Sequence, residues 1–223
     1  MSRVNRATAA QSLSVSLTVG AYGVAFGAAS VAAGFTVWQS CLLSLLTFTG
    51  ASQFAVVGVL GAGGSAISGI ATATLLGVRN TLYGLRMAPV LNVKGLRRIF
   101  AAQLTIDEST GVALSQEKIG LREMRQGFWL TGIGVFIFWN IFTLAGALGA
   151  QAMGDPAAWG LDAAVPAAFL GLLWPRLNSK SARIVALLSI FMCTLLIPFA
   201  PAGVPVIACA LIPFIFAFVG DRK

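Results

Sequence analysis

The sequence predicts an all-α fold of one kind, a polytopic integral membrane protein with seven or eight transmembrane helices, and three observations lead there. Of the 223 residues, 57% are hydrophobic and only 10% are charged, against about 25% charged in a soluble domain. Eight apolar stretches follow one another, and a crossing needs about 20 such residues. Most of the 15 lysines and arginines gather between and around those stretches rather than along them. Too few charges remain to cover a water-soluble globule, and disorder is excluded because disordered chains are poor in apolar residues. The chain reads as a single transmembrane domain, 1–223, with halves at 10–115 and 127–219.

The stretches run over 10–33, 38–60, 66–91, 99–115, 127–150, 161–174, 183–199 and 205–219. Arg3 and Arg6 before the first resemble the basic start of a secretory signal, but the run exceeds a signal's apolar core and more spans follow, so it reads as a retained helix. On it Gly23 and Gly27 form a small-xxx-small pair for close helix packing. Trp38, Trp129, Trp159 and Trp174 sit near stretch ends as an interfacial belt does, whereas Trp139 is central and is expected to face another helix or a cavity. Lys118, Arg122 and Arg125, then Arg176, Lys180 and Arg183, then Arg222 and Lys223 mark cytoplasmic segments and place both termini inside. The loops between them carry one charge, Asp155.

Lys94, Arg97 and Arg98 break this pattern, because three full crossings from an inside start would put them outside. Either an early stretch is broken or re-entrant, or 99–115 crosses against the charge rule. The second option gives eight spans and is preferred. A weak similarity of 23–54 to 142–174, each a Gly-rich helix followed by a Trp and an interrupted helix, suggests a parallel four-plus-four repeat, although Gly and Trp recur in any membrane protein.

Polar residues within apolar stretches need a partner or water, which makes them functional candidates. Thr47-Phe48-Thr49-Gly50-Ala51-Ser52-Gln53-Phe54 is one such set. Gly50 permits local unwinding, and Ser52 and Gln53 offer hydrogen bonds, either to a substrate or between helices. A second set runs from Arg79 through Asn80 and Tyr83 to Arg86. Arg79, Tyr83 and Arg86 share a helical face. An arginine at mid-membrane costs about 2.5–3.5 kcal/mol on insertion scales, so Arg79 binds a substrate carboxylate bidentately or pairs with Asp107 or Glu108. Arg86 sits where it can snorkel. A third set, Thr105 to Thr110, contains Asp107 and Glu108. Adjacent acids suit an ion or proton site or serve as counter-ions, unless they lie in a solvated loop. Asp162, beside Trp159, reads as interfacial.

Other chemistries lack their groups. Histidine is absent, and the cysteines are three in number; Cys41, Cys193 and Cys209 lie singly in apolar runs. No zinc set, Cys-His or Ser-His dyad or disulfide framework is implied, and an enzyme is not expected. The net charge of +8 serves orientation and anionic headgroups of the lipid bilayer; without a nucleic-acid-binding module, no nucleic acid is expected as a partner.

These groups, in this order, resemble the AzlC family of branched-chain amino acid permeases. The matching segments are Ser44–Phe54 with TFTGASQF, Val78–Gly84 with R-x-x-L-Y-G, and Leu104–Glu108 with the Asp-Glu pair. Trp139–Gly149 as W-x3-T-x2-G-x2-G and Gly160–Leu173 with GLD and P-x2-F-L complete the resemblance, over roughly residues 10–175. Where the family has N-x-R-H, this chain has Gly77-Val78-Arg79-Asn80, and Phe142 precedes Thr143 in place of the family's Gly. Proton coupling would therefore rest on Asp107 and Glu108 rather than on a histidine. The resemblance implies a multi-pass permease of the bacterial inner membrane. It would export branched-chain amino acids such as valine with a small hydrophobic AzlD-like subunit, by secondary transport and without a cofactor; apolar walls that discriminate weakly extend this to leucine, isoleucine and methionine. No G-x4-G-K-[ST] loop is present. The alternatives are an exporter or channel for another small solute, and a structural subunit of a larger transporter.

Overall fold

The computed structural model describes residues 5–154, 158, 160 and 163–220. Asp155, Trp159 and Asp162 lie outside the described residues, among which helices dominate and no strand occurs. Eleven helices follow in order among them. α1 (Arg6–Ala32), α4 (Ala66–Leu91) and α7 (Leu121–Ala152) are long. At 1.5 Å per residue, each spans about 40 Å or more. α1 and α7 are also apolar enough to cross a bilayer. The helices α2 (Val37–Leu46), α3 (Gly50–Gly61), α5 (Leu96–Gln103), α6 (Asp107–Ser115) and α8 (Ala164–Leu173) have half that length or less. α9 (Lys180–Leu196), α10 (Val204–Cys209) and α11 (Leu211–Gly220) complete the chain.

α1 and α7 lie side by side and run in the same direction. At their starts, Asn5 N donates to Gln126 Oε1 (3.0 Å) and Gln126 Nε2 returns a bond to Asn5 O (2.9 Å). Further along, Ser16 Oγ donates to Thr131 O (3.3 Å), Gly20 and Gly23 lie against Phe138 and Trp139, and Gly27 against Thr143. The glycines let the two backbones touch, as the Gly23–Gly27 spacing predicts. The end where α1 begins is called basal below, and the other apical.

The stretch 38–60 does not cross the bundle. α2 descends from the apical end, where Ser40 Oγ donates to Ser30 Oγ (2.7 Å), past Thr143, which accepts from Ser44 Oγ (3.4 Å). It stops at mid-depth, where the Phe48 ring packs on Phe136 at 5.0 Å. α3 then climbs back, Phe54 meeting Phe26 (5.5 Å) and Gly61 reaching Ala33 at the apical end. α4 runs antiparallel to α3, with Ser52 Oγ donating to Ala73 O (2.8 Å). Its far end is basal, where Arg125 Nε donates to Val90 O (2.7 Å) and Arg86 pairs with Glu117 (2.6 Å). Asn92, at φ 47°, closes α4 in the left-handed conformation that asparagine tolerates.

The stretch 99–115 repeats this device from the other side. α5 rises from the basal end to mid-depth, where Gln103 Nε2 donates to Leu45 O (3.0 Å) at the tip of the first hairpin. α6 descends along α7, Ser109 beside Gly132 and Val112 beside Gly127, and Gln116 accepts from Thr8 Oγ1 (3.1 Å) at the base.

Neither stretch is a crossing, so the expectation of eight full spans, with 99–115 among them, gives way to the re-entrant alternative, used twice. The charge conflict disappears with it. Lys94, Arg97 and Arg98 follow α4 at the same end as the start of α1. A long helix followed by a half-length hairpin occurs as α1–α2–α3 (27, 10 and 12 residues) and, upside down, as α4–α5–α6 (26, 8 and 9 residues). This inverted repeat organises α1–α6, and α7 then runs in the same direction as α1. α8 also stops at mid-depth. It passes from Val165 beside Gly58 to Phe169 beside Phe54 (6.1 Å) and ends in a 3-10 turn at Trp174–Arg176. After α9 the chain is apical again, with Ala202 and Gly203 against Gly64 and Ser68.

Candidate functional site

Two hairpin tips at mid-bundle leave helix ends inside the fold, and side chains take up the freed backbone groups. At the first tip, Thr47-Phe48-Thr49, Gln53 Nε2 donates to Thr47 O and to Ser44 O (3.3 Å). Trp139 Nε1 donates to Gln53 Oε1 (2.9 Å). At the second tip, Leu104-Thr105-Ile106, Ser109 Oγ donates to Leu104 O (2.6 Å) and accepts from Ile106 N (3.1 Å). Thr105 Oγ1 donates to Ala101 O (2.7 Å). The tips are built structures, and their second legs, α3 and α6, begin beside a common space.

That space is a cavity of about 380 Å³, within the range of small-molecule sites. Val19, Phe48, Phe54, Leu76, Ile106, Val135, Phe169 and Leu173 make it largely apolar, with Tyr22 and Trp139 adding aromatic surface. Thr49, Gly50 and Ala51 from the start of α3 face Asp107 and Glu108 from the start of α6. Gly50 lies against the Trp139 ring, so a side chain there would push the indole aside. Helix starts carry partial positive charge, and Thr49 makes no side-chain cap that would occupy the α3 donors.

Four charged side chains line this apolar space: Arg79, Asp107, Glu108 and Arg176. Asp107 Oδ2 lies 2.9 Å from Arg79 Nη1 and 3.5 Å from Arg176 Nη2. The arginine therefore has the aspartate as counter-ion, as one sequence reading holds, and both face the cavity, as the other requires. The pair is not a closed one. Arg79 Nε and Asp107 Oδ1 are buried and have no hydrogen-bond partner, and a buried orphan costs about 1–3 kcal/mol until something satisfies it.

Of the residues singled out from sequence, Gly50, Arg79, Asp107 and Glu108 meet at the cavity. Ser52 and Gln53 are 2% and 0% exposed and are engaged by Ala73 and by the tip. Asn80 and Tyr83 are half-buried on α4 and are not among the lining residues. Asp162 lies outside the described residues. Arg176 was missed, because its neighbours Lys180 and Arg183 give it the look of a cytoplasmic loop; the 3-10 turn after α8 instead brings it to Asp107. Trp139 both lines the cavity and clamps Gln53, in agreement with its central position in its stretch. Among the described residues no group of three or more His, Cys, Asp or Glu converges as a metal set would.

A family model described as AzlC protein matches residues 14–153, more than half of the chain, from the first turns of α1 to the end of α7. It stops short of the Gly160–Leu173 segment. No curated protein and no solved structure matches the chain.

Proposed function

The chain belongs to the AzlC family, which is linked to branched-chain amino acid transport, and from this we propose that it is a secondary transporter exporting valine, leucine, isoleucine and methionine across the bacterial inner membrane. The observation that carries the reading is the cavity: a mid-bundle apolar chamber in which a guanidinium keeps a buried, unpartnered Nε donor. A zwitterion with a small apolar side chain needs a cation, polar groups and an apolar wall, and the chamber supplies all three. Arg79 binds the carboxylate through its open edge while Nη1 stays with Asp107. The leucine, valine and phenylalanine walls accept the side chain. Such walls discriminate by only about 1–3 kcal/mol per methylene, so selectivity within the group is broad.

The orientation follows from charge. Arg6, Lys94, Arg97, Arg98, Lys118, Arg122 and Arg125 belong to the basal end, which we assign to the cytoplasm. The basal hairpin, carrying Asp107 and Glu108, then enters from the cytoplasm and couples transport to protons, while the apical hairpin enters from outside. A small hydrophobic AzlD-like subunit covers part of the exterior, and the protein acts as a carrier rather than an enzyme.

The test is growth of a valine-hypersensitive strain, together with efflux of labelled valine. Arg79→Ala is expected to abolish protection and efflux with the protein still inserted. Arg79→Lys, which keeps the charge but loses the fork, is expected to lower efflux by about tenfold. Full protection by Arg79→Ala removes this residue from the site and the reading with it.

A further inference from the structure

We infer that Glu108 recognises the substrate's amino group, and that the four charges of the cavity together select a zwitterion over the same molecule without its ammonium. The inference deepens the amino acid reading and rests on it. The two acids at the start of α6 are adjacent in sequence but differently placed. Asp107 is engaged by two guanidinium groups, at 2.9 and 3.5 Å. Glu108 lines the same cavity and has no ion pair within 4 Å among the described residues. It is the carboxylate left to receive a cation.

The charge count points the same way. With both acids ionised, Arg79 and Arg176 balance Asp107 and Glu108 and the chamber is neutral. A zwitterion leaves it neutral. A carboxylate alone would add a net negative charge to a space walled mainly by phenylalanine, leucine, isoleucine and valine, where an uncompensated charge is costly. In an α-amino acid the carboxylate and ammonium hang from one carbon, so their receptors must be neighbours. Arg79 and Glu108 line the same cavity, and Arg79 bonds Asp107, the residue before Glu108 at the start of α6.

The experiment is binding of labelled L-valine to the purified full-length protein in lipid nanodiscs, competed with 3-methyl-2-oxobutanoate, which has valine's carbon skeleton and carboxylate but no ammonium. The native protein is expected to prefer valine by tenfold or more. Glu108→Gln is expected to lose at least tenfold in valine affinity and to bring the two ligands to parity, whereas Glu108→Asp keeps the preference. An unchanged preference in Glu108→Gln overturns the inference and leaves the amino acid reading standing. So does equal loss of both ligands in Glu108→Gln and Glu108→Asp. A native protein that binds neither ligand overturns both.

Discussion

Arg79 meets its aspartate through a single nitrogen, and this leaves the guanidinium half available. Ser52 and Gln53 are engaged by backbone carbonyls and by Trp139, which makes their roles separable from that of Arg79 by substitution. Trp139→Phe removes the donor to Gln53 Oε1 together with the outer edge of the indole that lies against Gly50. Interhelical hydrogen bonds in membrane proteins average about 0.6 kcal/mol and reach about 1.7. We expect Trp139→Phe to destabilise by at least an amount in that range, the lost packing adding to the lost hydrogen bond, read as a lower Tm in detergent, with valine affinity changed less than by Arg79→Ala. Sequence reasoning reached Arg79, Asp107 and Glu108 because charge inside an apolar run is conspicuous and expensive. It marked Ser52 and Gln53 for the same reason, yet a polar side chain in a membrane helix can face a cavity or its own backbone, and only the fold decides. Arg176 stands next to other basic residues, where nothing local distinguishes a cavity cation from a loop one.

At the level of helices, the closest packing is between α1 and α7, and it depends on the absence of side chains. A Cβ at Gly27 would strike Thr143 O, and one at Gly146 would strike Val24 O; because backbone is the obstacle, no rotamer change relieves it. Gly27→Val is therefore expected to cut the amount of folded protein several-fold, measured as monodisperse material by fluorescence-detection gel filtration. Gly149→Ala, on the same α7 but with open space around it, is expected to leave that amount unchanged. The Gly23–Gly27 pair announces this contact in the sequence, although not its partner. The hairpins were only half legible. Asp107 and Glu108 interrupt 99–115, a hint that it does not cross, whereas 38–60 contains no charged residue and has the length of an ordinary span. What bends it back is a three-residue break whose freed carbonyls are taken up by Gln53, and hydropathy is blind to that exchange.

For the whole molecule, the two hairpins change which loops share a side. In a chain with Cys41, Cys193 and Cys209 replaced by serine, single cysteines at the exposed positions Trp38, Ala62, Lys94 and Lys118 report this through a membrane-impermeant maleimide. Trp38→Cys and Ala62→Cys are expected to label from one side, Lys94→Cys and Lys118→Cys from the other; eight full crossings would instead separate Trp38 from Ala62. The parity conflict around Lys94 was visible in the sequence and pointed to an irregular element, but the number and place of such elements depend on long-range pairings such as Gly61 with Ala33. One consequence reaches beyond topology. A scaffold that sets a long helix and hairpin from one side against a like unit turned head over heels offers both compartments a similar entry, and an arrangement of that kind has no inherent arrow. Whether solute leaves or enters is then a matter of concentrations and of the ion that travels with it, so vesicles loaded with solute and vesicles bathed in it should both equilibrate.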